Sequence, residues 1–271
     1  MQMRTNLAIA IKAALEAGTE ILKIYDTDFN VERKGDDSPL TLADKNANEV
    51  INSYLTTTEI PIISEENRQL DYSDRKDWTR CWIVDPLDGT KEFIKRNGEF
   101  TVNIALVENG NPMLGVIYVP VTKELFFTSE DGKASKKITL TSEETTVDYI
   151  FKNAEIIKPA VVSSPIKIVG SRSHMNSDTK NFISTIENSL SADGGKNKVE
   201  IVSKGSSLKF CLVAEGLAHI YPRYAPTMEW DTAAGHAICK AAGISVIDQT
   251  TGNPMMYNKS NLLNNYFVVK A

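Results

Sequence analysis

Apolar residues recur every three or four positions along the first stretch of the chain, at Leu7, Ile11, Leu15, Gly18, Ile21 and Leu22, which predicts an amphipathic helix of about 20 residues. A second helix is predicted over Thr41 to Thr57, with Ala43, Ala47, Val50, Ile51, Tyr54 and Leu55 on its inner face. Between them Val31 to Pro39 is polar, contains Gly35, and reads as a loop or loose hairpin. Pro61 to Ser64 and Cys81 to Val84 are short apolar runs of the kind that form buried strands. Thr101 to Val107, Met113 to Val119 and Glu124 to Thr128 alternate as strands, and Asn109-Gly110-Asn111-Pro112 predicts a hairpin between the first two.

Core-forming periodicity weakens over the polar stretch Thr141 to Lys158, which predicts a boundary between an N-terminal half, residues 1–145, and a C-terminal half, residues 146–271. Beyond it the pattern predicts a strand over Ile166 to Val169, a helix over Ser177 to Leu190 and a strand over Val199 to Val202. Helices over Ser206 to Leu217 and Asp231 to Ala242 follow, with a strand over Ala218 to Tyr221 between them and a last strand over Tyr266 to Lys270. Asp231 stands at the predicted N-cap of its helix and Gly243 just past its end. The Gly/Lys/Asn-rich segment Ala192 to Lys198 reads as a mobile surface loop. Helices mixed with antiparallel hairpins predict a layered α+β fold.

At 271 residues the chain can bury a substantial core, as one large domain or as two packed halves. Its composition, 42% hydrophobic and 24% charged, is that of a soluble globular protein. A net charge of −5 supplies no general field for nucleic acid or an anionic membrane, so a small anionic substrate would need a local positive site. Cys81, Cys211 and Cys239 lie in apolar runs without metal-ligand spacing, which fits reduced, buried thiols in the cytoplasm. The N-terminus has no basic segment followed by a long apolar one, and no run approaches 18 apolar residues, so neither a signal peptide nor a membrane span is expected.

The stretch Trp82-Ile-Val-Asp-Pro-Leu-Asp-Gly-Thr90 carries the chemistry. Pro86 sets φ for a turn after the strand, so Asp85 and Asp88 can lie inside one bend with the Leu87 carbonyl between them. Hard oxygen ligands grouped in this way suit Mg²⁺, which prefers carboxylates together with water and substrate phosphate. Gly89 allows close backbone approach, and the N–H groups after it can face a phosphate. Pro-x-Asp-Gly is also ordinary turn chemistry. Further acids occur at Glu65-Glu66, where a predicted strand stops, and at Glu229-Trp230-Asp231, where capping is an alternative role for Asp231.

Asp85-Pro-Leu-Asp-Gly-Thr90 followed by Trp230-Asp-Thr-Ala-Ala-Gly235 resembles the inositol monophosphatase superfamily of Mg²⁺-dependent, lithium-sensitive phosphatases. Longer stretches are similar to its bacterial 3′(2′),5′-bisphosphate nucleotidase branch: Lys91 to Leu106, Gly205 to Gly216 and Tyr221-Pro-Arg223, within a match running from about Lys34 to about Tyr257. The resemblance implies an αβαβα sandwich with a metal site in the cleft between two halves. It implies a first Mg²⁺ held by Glu65, Asp85 and the Leu87 carbonyl, and a second held by Asp85, Asp88 and Asp231. A third, looser ion is allowed, with Asp36 or Asp37 reaching it through water. Asp44 and Thr90 would aim and deprotonate the attacking water, although an acid near a helix start also suits the helix dipole.

The same branch binds a nucleotide bisphosphate through a histidine, a serine, a lysine and an arginine, here His174, Ser206, Lys209 and Arg223. Glu65, Gly89, Thr90 and Asp231 complete the expected substrate contacts. The implied enzyme converts 3′-phosphoadenosine 5′-phosphate to AMP and phosphate, with 3′-phosphoadenylyl sulfate as a further substrate. It would act in the cytoplasm, with or without peripheral attachment to the inner membrane, as a monomer or homodimer and without nucleic acid. The competing readings are an inositol monophosphatase or sugar bisphosphatase with the same metal core, and a non-catalytic nucleotide-binding regulator. Gly205-Ser-Ser-Leu-Lys209 with Tyr221-Pro-Arg223 argues against the former, and the presence of every acid and of Thr90 argues against the latter.

Overall fold

A computed structural model describes residues 2–27, 39–141, 145–161, 164–170, 176–192 and 198–271. In chain order the helices are α1 Gln2–Tyr25, α2 Pro39–Leu55, α3 Tyr72–Arg75, α4 Thr90–Ile94, α5 Val147–Asn153, α6 Ser177–Ala192, α7 Leu208–Ala214 and α8 Ala233–Ala241. The strands are β1 Ile62–Ser64, β2 Arg80–Asp88, β3 Thr101–Glu108, β4 Asn111–Val119, β5 Glu124–Thr128, β6 Ser135–Thr139, β7 Glu155–Ile157, β8 Ile166–Gly170, β9 Val199–Ser203, β10 Ile220–Arg223, β11 Ser245–Asp248 and β12 Phe267–Lys270. They form a seven-stranded sheet in the order β1 to β7 and a five-stranded sheet in the order β11-β12-β10-β8-β9.

Strand alternation distributes the first sheet's residues between two apolar layers. Trp82, Val84, Val102, Ile104, Leu106, Val116 and Phe127 pack on one face with Leu7, Ile11, Ala14, Ile21, Ala47 and Ile51 of α1 and α2. Cys81, Ile83, Ala105, Val107, Ile117 and Phe126 face the other way, against Phe210 and Val213 of α7 and Ala234 and Ile238 of α8. The same middle layer touches Val246, Phe267 and Val269 of the second sheet, whose far side is covered through Ile166, Ile168, Ile220 and Val268 by Phe182 and Ile186 of α6. The order is therefore helix, sheet, helix, sheet, helix. Gly115 allows α8 to lie directly on β4, since a Cβ there would sit 2.4 Å from the Ala234 carbonyl oxygen.

Several elements differ from the sequence expectation. The turn expected at Pro86 is a bulge: β2 continues to Asp88, and its pairing with β3 shifts register between Asp85 and Asp88. A residue without an N–H fits where the ladder is interrupted. Ser206 does not open a helix; it has φ +49°, and α7 starts at Leu208. Asp231 does not cap α8, which begins after Thr232; instead Asp231 Oδ2 accepts from the Met228 amide. The polar stretch after Thr141 contains α5 and β7, and β7 still pairs with β6, so the change of sheet falls between Ile157 and Ile166. Of the expected loops Val31 to Pro39 and Ala192 to Lys198, residues 31–38 and 193–197 lie outside the described residues, while Pro39 opens α2 and Ala192 ends α6. The three cysteines are free and buried, and among the described residues no helix is long and apolar enough to cross a membrane.

Candidate active site

The acids are assembled by strand pairing. β1 and β2 are parallel, with Ser64 opposite Val84, so both run to the same edge and Glu65 follows beside Asp85. The Glu65 amide donates to the Val84 carbonyl at 3.2 Å. Asp231 reaches them from the turn before α8, held by the Met228 amide at 2.8 Å. Carboxylate oxygens of Glu65, Asp85 and Asp231 all lie within 4.8 Å of one another.

Such crowding disfavours charge. Burial, then the charges of Asp88, Glu65 and Asp231, drive the fully enclosed Asp85 well above the usual carboxylate range. Burial first and Asp88 second raise Asp231 to about 7. Glu65 is pushed up to about 7 by burial and by Glu66, although its side chain is exposed and solvent screens it most of the three. Asp44, in the second turn of α2, is pushed up to about 8, chiefly by burial and then by Glu66 and Glu65. Among the described residues, no lysine or arginine forms an ion pair with any of these acids. Three hard oxygen donors crowded together, with no cationic side chain in ion-pair contact, fit a divalent cation of the Mg²⁺ type.

Asp88 lies at the end of β2, and its Oδ2 accepts from Ser206 Oγ at 2.6 Å, Ser207 Oγ at 2.9 Å and Asn103 Nδ2 at 3.4 Å. The Leu87 side chain is buried and its amide donates to Asp85 Oδ1 at 3.1 Å. Gly89 has φ +97°, and a Cβ there would sit 3.1 Å from Ser206 Cβ and 3.2 Å from the Glu99 carbonyl oxygen. Thr90 is the exposed first residue of α4.

A cleft opens beside Asp88 and Asp231, lined also by Gly89, Ser206, Lys209, Tyr221 and Arg223. Lys209 is buried; its Nζ donates to the Ser206 carbonyl at 2.6 Å, and burial lowers its pKa to about 8. Arg223 Nη2 donates to the Pro226 carbonyl at 3.1 Å, whereas its buried Nε has no hydrogen-bond partner among the described residues.

The structure thus brings Glu65, Asp85 and Asp231 into one cluster, and Gly89, Ser206, Lys209 and Arg223 into one cleft with Asp88 and Asp231. Asp44 and Thr90 are not among the residues lining that cleft. His174, Asp36 and Asp37 lie outside the described residues. Sequence reasoning gave no role to Ser207, Asn103 or Thr101, nor to the motif residue Trp230, whose side chain hydrogen-bonds Glu65. A signal was present: Thr101 and Asn103 are polar at positions whose strand neighbours Ala105 and Val107 are core.

An αβαβα sandwich with clustered acids opening on a cationic cleft defines the class, and the chain belongs to the inositol monophosphatase family, which it matches over residues 2–268. It is 46% identical over 239 residues to the 3′(2′),5′-bisphosphate nucleotidase CysQ of Salmonella typhimurium, covering 87% of each chain. Identity to the CysQ of Escherichia coli K12 is 43% over 261 residues, 94% of this chain and 96% of that one. The crystal structure of CysQ from Bacteroides thetaiotaomicron superposes with a TM-score of 0.89 at 48% identity, covering 99% of this chain and 97% of that one. The inositol monophosphatase of Anabaena, 23% identical with a TM-score of 0.70, shares the fold.

Proposed function

We propose that the chain is a Mg²⁺-dependent phosphomonoester hydrolase that removes the 3′-phosphate of adenosine 3′,5′-bisphosphate, giving AMP and phosphate. On this reading it also takes 3′-phosphoadenylyl sulfate and serves sulfur assimilation. The relatives named as bisphosphate nucleotidases support the substrate class. The observation that carries it in this chain is Arg223: a guanidinium in the same cleft as Asp88 and Asp231, with a buried Nε left without a partner. An unmet buried donor costs about 1–3 kcal/mol, which a phosphate oxygen would offset. A monophosphate held at the acids has no second phosphate to place there.

Glu65, Asp85, Asp88, Asp231 and the Leu87 carbonyl are assigned to two Mg²⁺ ions, with a third, looser one allowed. Bound there, Mg²⁺ neutralises charge on the transferring phosphoryl group and makes water more acidic. Asp44, whose affinity for a proton burial has raised, accepts the proton of the attacking water at a carboxylate oxygen, with Thr90 orienting that water. Lys209 and Arg223 hold the phosphate that is retained, as a point charge and a fork respectively. Gly89 keeps the backbone against the reacting phosphate free of a side chain. Three buried free thiols fit residence in the cytoplasm.

Arg223→Ala tests the substrate. Loss of a charge-assisted hydrogen bond is worth about 1.5–3 kcal/mol, or roughly ten- to a hundredfold in kcat/KM for adenosine 3′,5′-bisphosphate. Slow hydrolysis of 3′-AMP or inositol 1-phosphate should change little. An equal fall on all substrates would make Arg223 structural, and a wild-type preference for inositol phosphate would overturn the nucleotidase reading.

A further inference from the structure

Asp88 is gripped by residues from both halves of the chain. Thr101 and Asn103 project from β3 of the first sheet, while Ser206 and Ser207 belong to the loop after β9 of the second. Asn103 Nδ2 donates to Ser207 Oγ at 3.0 Å as well as to Asp88, and Thr101 Oγ1 fixes the amide by donating to Asn103 Oδ1 at 2.9 Å. The single proton of Ser207 Oγ is shared between Asp88 Oδ2 and the Asp231 carbonyl, each 2.9 Å away. Ser207, Asn103 and Thr101 are all buried, so none of these hydrogen bonds is exchanged readily for water.

The consequence is asymmetric. One oxygen of Asp88 receives every donor, and among the described residues no donor reaches Oδ1. We infer that Ser207, oriented by Asn103, is the positioning residue that turns Asp88 so that Oδ1 alone is offered to a cation, and that ties the backbone carbonyl of Asp231 to the same setting. The inference rests on the proposed role of Asp88 as a Mg²⁺ ligand. Ser207 touches neither substrate nor the reacting atoms in this assignment. Its effect is on the affinity of the site for the cation, since partners behind a metal ligand commonly alter affinity about ten- to a hundredfold. Both serines border the cleft, but Ser206 is half-buried and is an expected substrate contact, whereas Ser207 is buried with its hydroxyl turned to Asp88 and the Asp231 carbonyl.

The experiment is direct Mg²⁺ binding by titration calorimetry, with Mn²⁺ binding followed by electron paramagnetic resonance. Wild type is compared with Ser207→Ala, Ser207→Thr and Asp88→Asn, and KM for adenosine 3′,5′-bisphosphate is measured at saturating Mg²⁺. Ser207→Ala should weaken cation binding about tenfold while leaving KM within about twofold, and Ser207→Thr, which restores the hydroxyl, should bind within about twofold of wild type. Asn103→Ala provides the same signature should Ser207→Ala fail to fold. Wild-type cation affinity in Ser207→Ala beside a weakened Asp88→Asn would overturn the positioning role alone. Wild-type affinity in Asp88→Asn would overturn the ligand assignment and the inference with it. A rise in KM with unchanged cation affinity would move Ser207 to the substrate side and also overturn it.

Discussion

At the scale of single residues, the site is a problem of placing like charges together and then finding a use for the repulsion. Asp85 cannot shed its neighbours, because the parallel pairing of β1 with β2 sets Glu65 beside it and the turn before α8 brings Asp231. Replacing Asp88 by Asn should keep the fold and its hydrogen bonds from Ser206 and Ser207, yet remove one ligand charge. Turnover should fall by about a hundredfold or more, measured as released phosphate; activity near wild type in this variant or in excess chelator would remove the metal assignment. Li⁺ is a hard cation with half the charge of Mg²⁺, so it should compete for the same oxygens and inhibit phosphate release, with relief by added Mg²⁺; insensitivity in an enzyme that still requires Mg²⁺ would count against this site. The acids themselves were legible in the sequence, because Asp-Pro-x-Asp-Gly-Thr and Trp-Asp-x-Ala-Ala-Gly are local patterns. The donors behind Asp88 were not, because Ser207 lies more than a hundred residues away and meets it only once β3 and the β9–α7 loop converge.

At the scale of elements, the turn that delivers Asp231 is held by something no periodicity indicates. Glu229 is fully buried, and its carboxylate accepts from the Asn258 amide at 2.6 Å, the Lys259 amide at 3.0 Å and Lys259 Nζ at 2.5 Å. Arg75 holds the far side of the same loop through the carbonyls of Lys259 and Ser260. The segment 258–260 has no regular structure, so pattern reading passed over it, although it fastens the peptide next to a candidate ligand. Glu229→Gln places an amide NH₂ against the Asn258 N–H and leaves Lys259, whose Nζ also donates to the Met256 carbonyl and Asn264 Oδ1, without its charge partner. Removing the charge from this half-buried pair should cost about 1.5–3 kcal/mol in unfolding free energy, read from urea denaturation; a loss below about 0.5 kcal/mol would mean that the loop relaxes freely. The long elements were readable for two reasons: α1 and α2 bury one face against a single layer, while β3 and β4 are apolar runs buried on both faces and joined by a tight turn. The short strands β6, β7 and β11 were not, since each has polar or exposed positions and owes its conformation to a neighbouring strand. Pro86 misled for a related reason: locally it favours a turn, and only the bulged pairing with β3 keeps it within a strand.

At the scale of the whole molecule, five layers mean that α8 is covered by a sheet on each side, and polar groups carried there are cut off from water. His236 is one of them. Its ring nitrogen Nδ1 is 3.0 Å from the Tyr257 hydroxyl, and burial first, then the charge of Lys240, lowers its pKa to about 3. An unfolded histidine titrates near 6.5. Between these values the unfolded chain binds a proton that the folded chain refuses, so stability falls as pH drops below 6.5, by about 1.4 kcal/mol per unit. Above 6.5 both states are neutral and the residue contributes no slope. Other groups also titrate in this window, so the measurable quantity is a difference. The unfolding free energy of wild type minus that of His236→Gln should be constant from pH 8 to about 7 and then shrink, by about 2 kcal/mol on reaching pH 5. The variant loses the contact with Tyr257 at every pH, which sets the constant part and leaves the slope untouched. Urea denaturation of both proteins at pH 7.5, 6 and 5 is sufficient. A difference that does not change with pH would mean that the middle layer admits a protonated imidazole, and the sandwich would then be more open at α8 than its packing indicates.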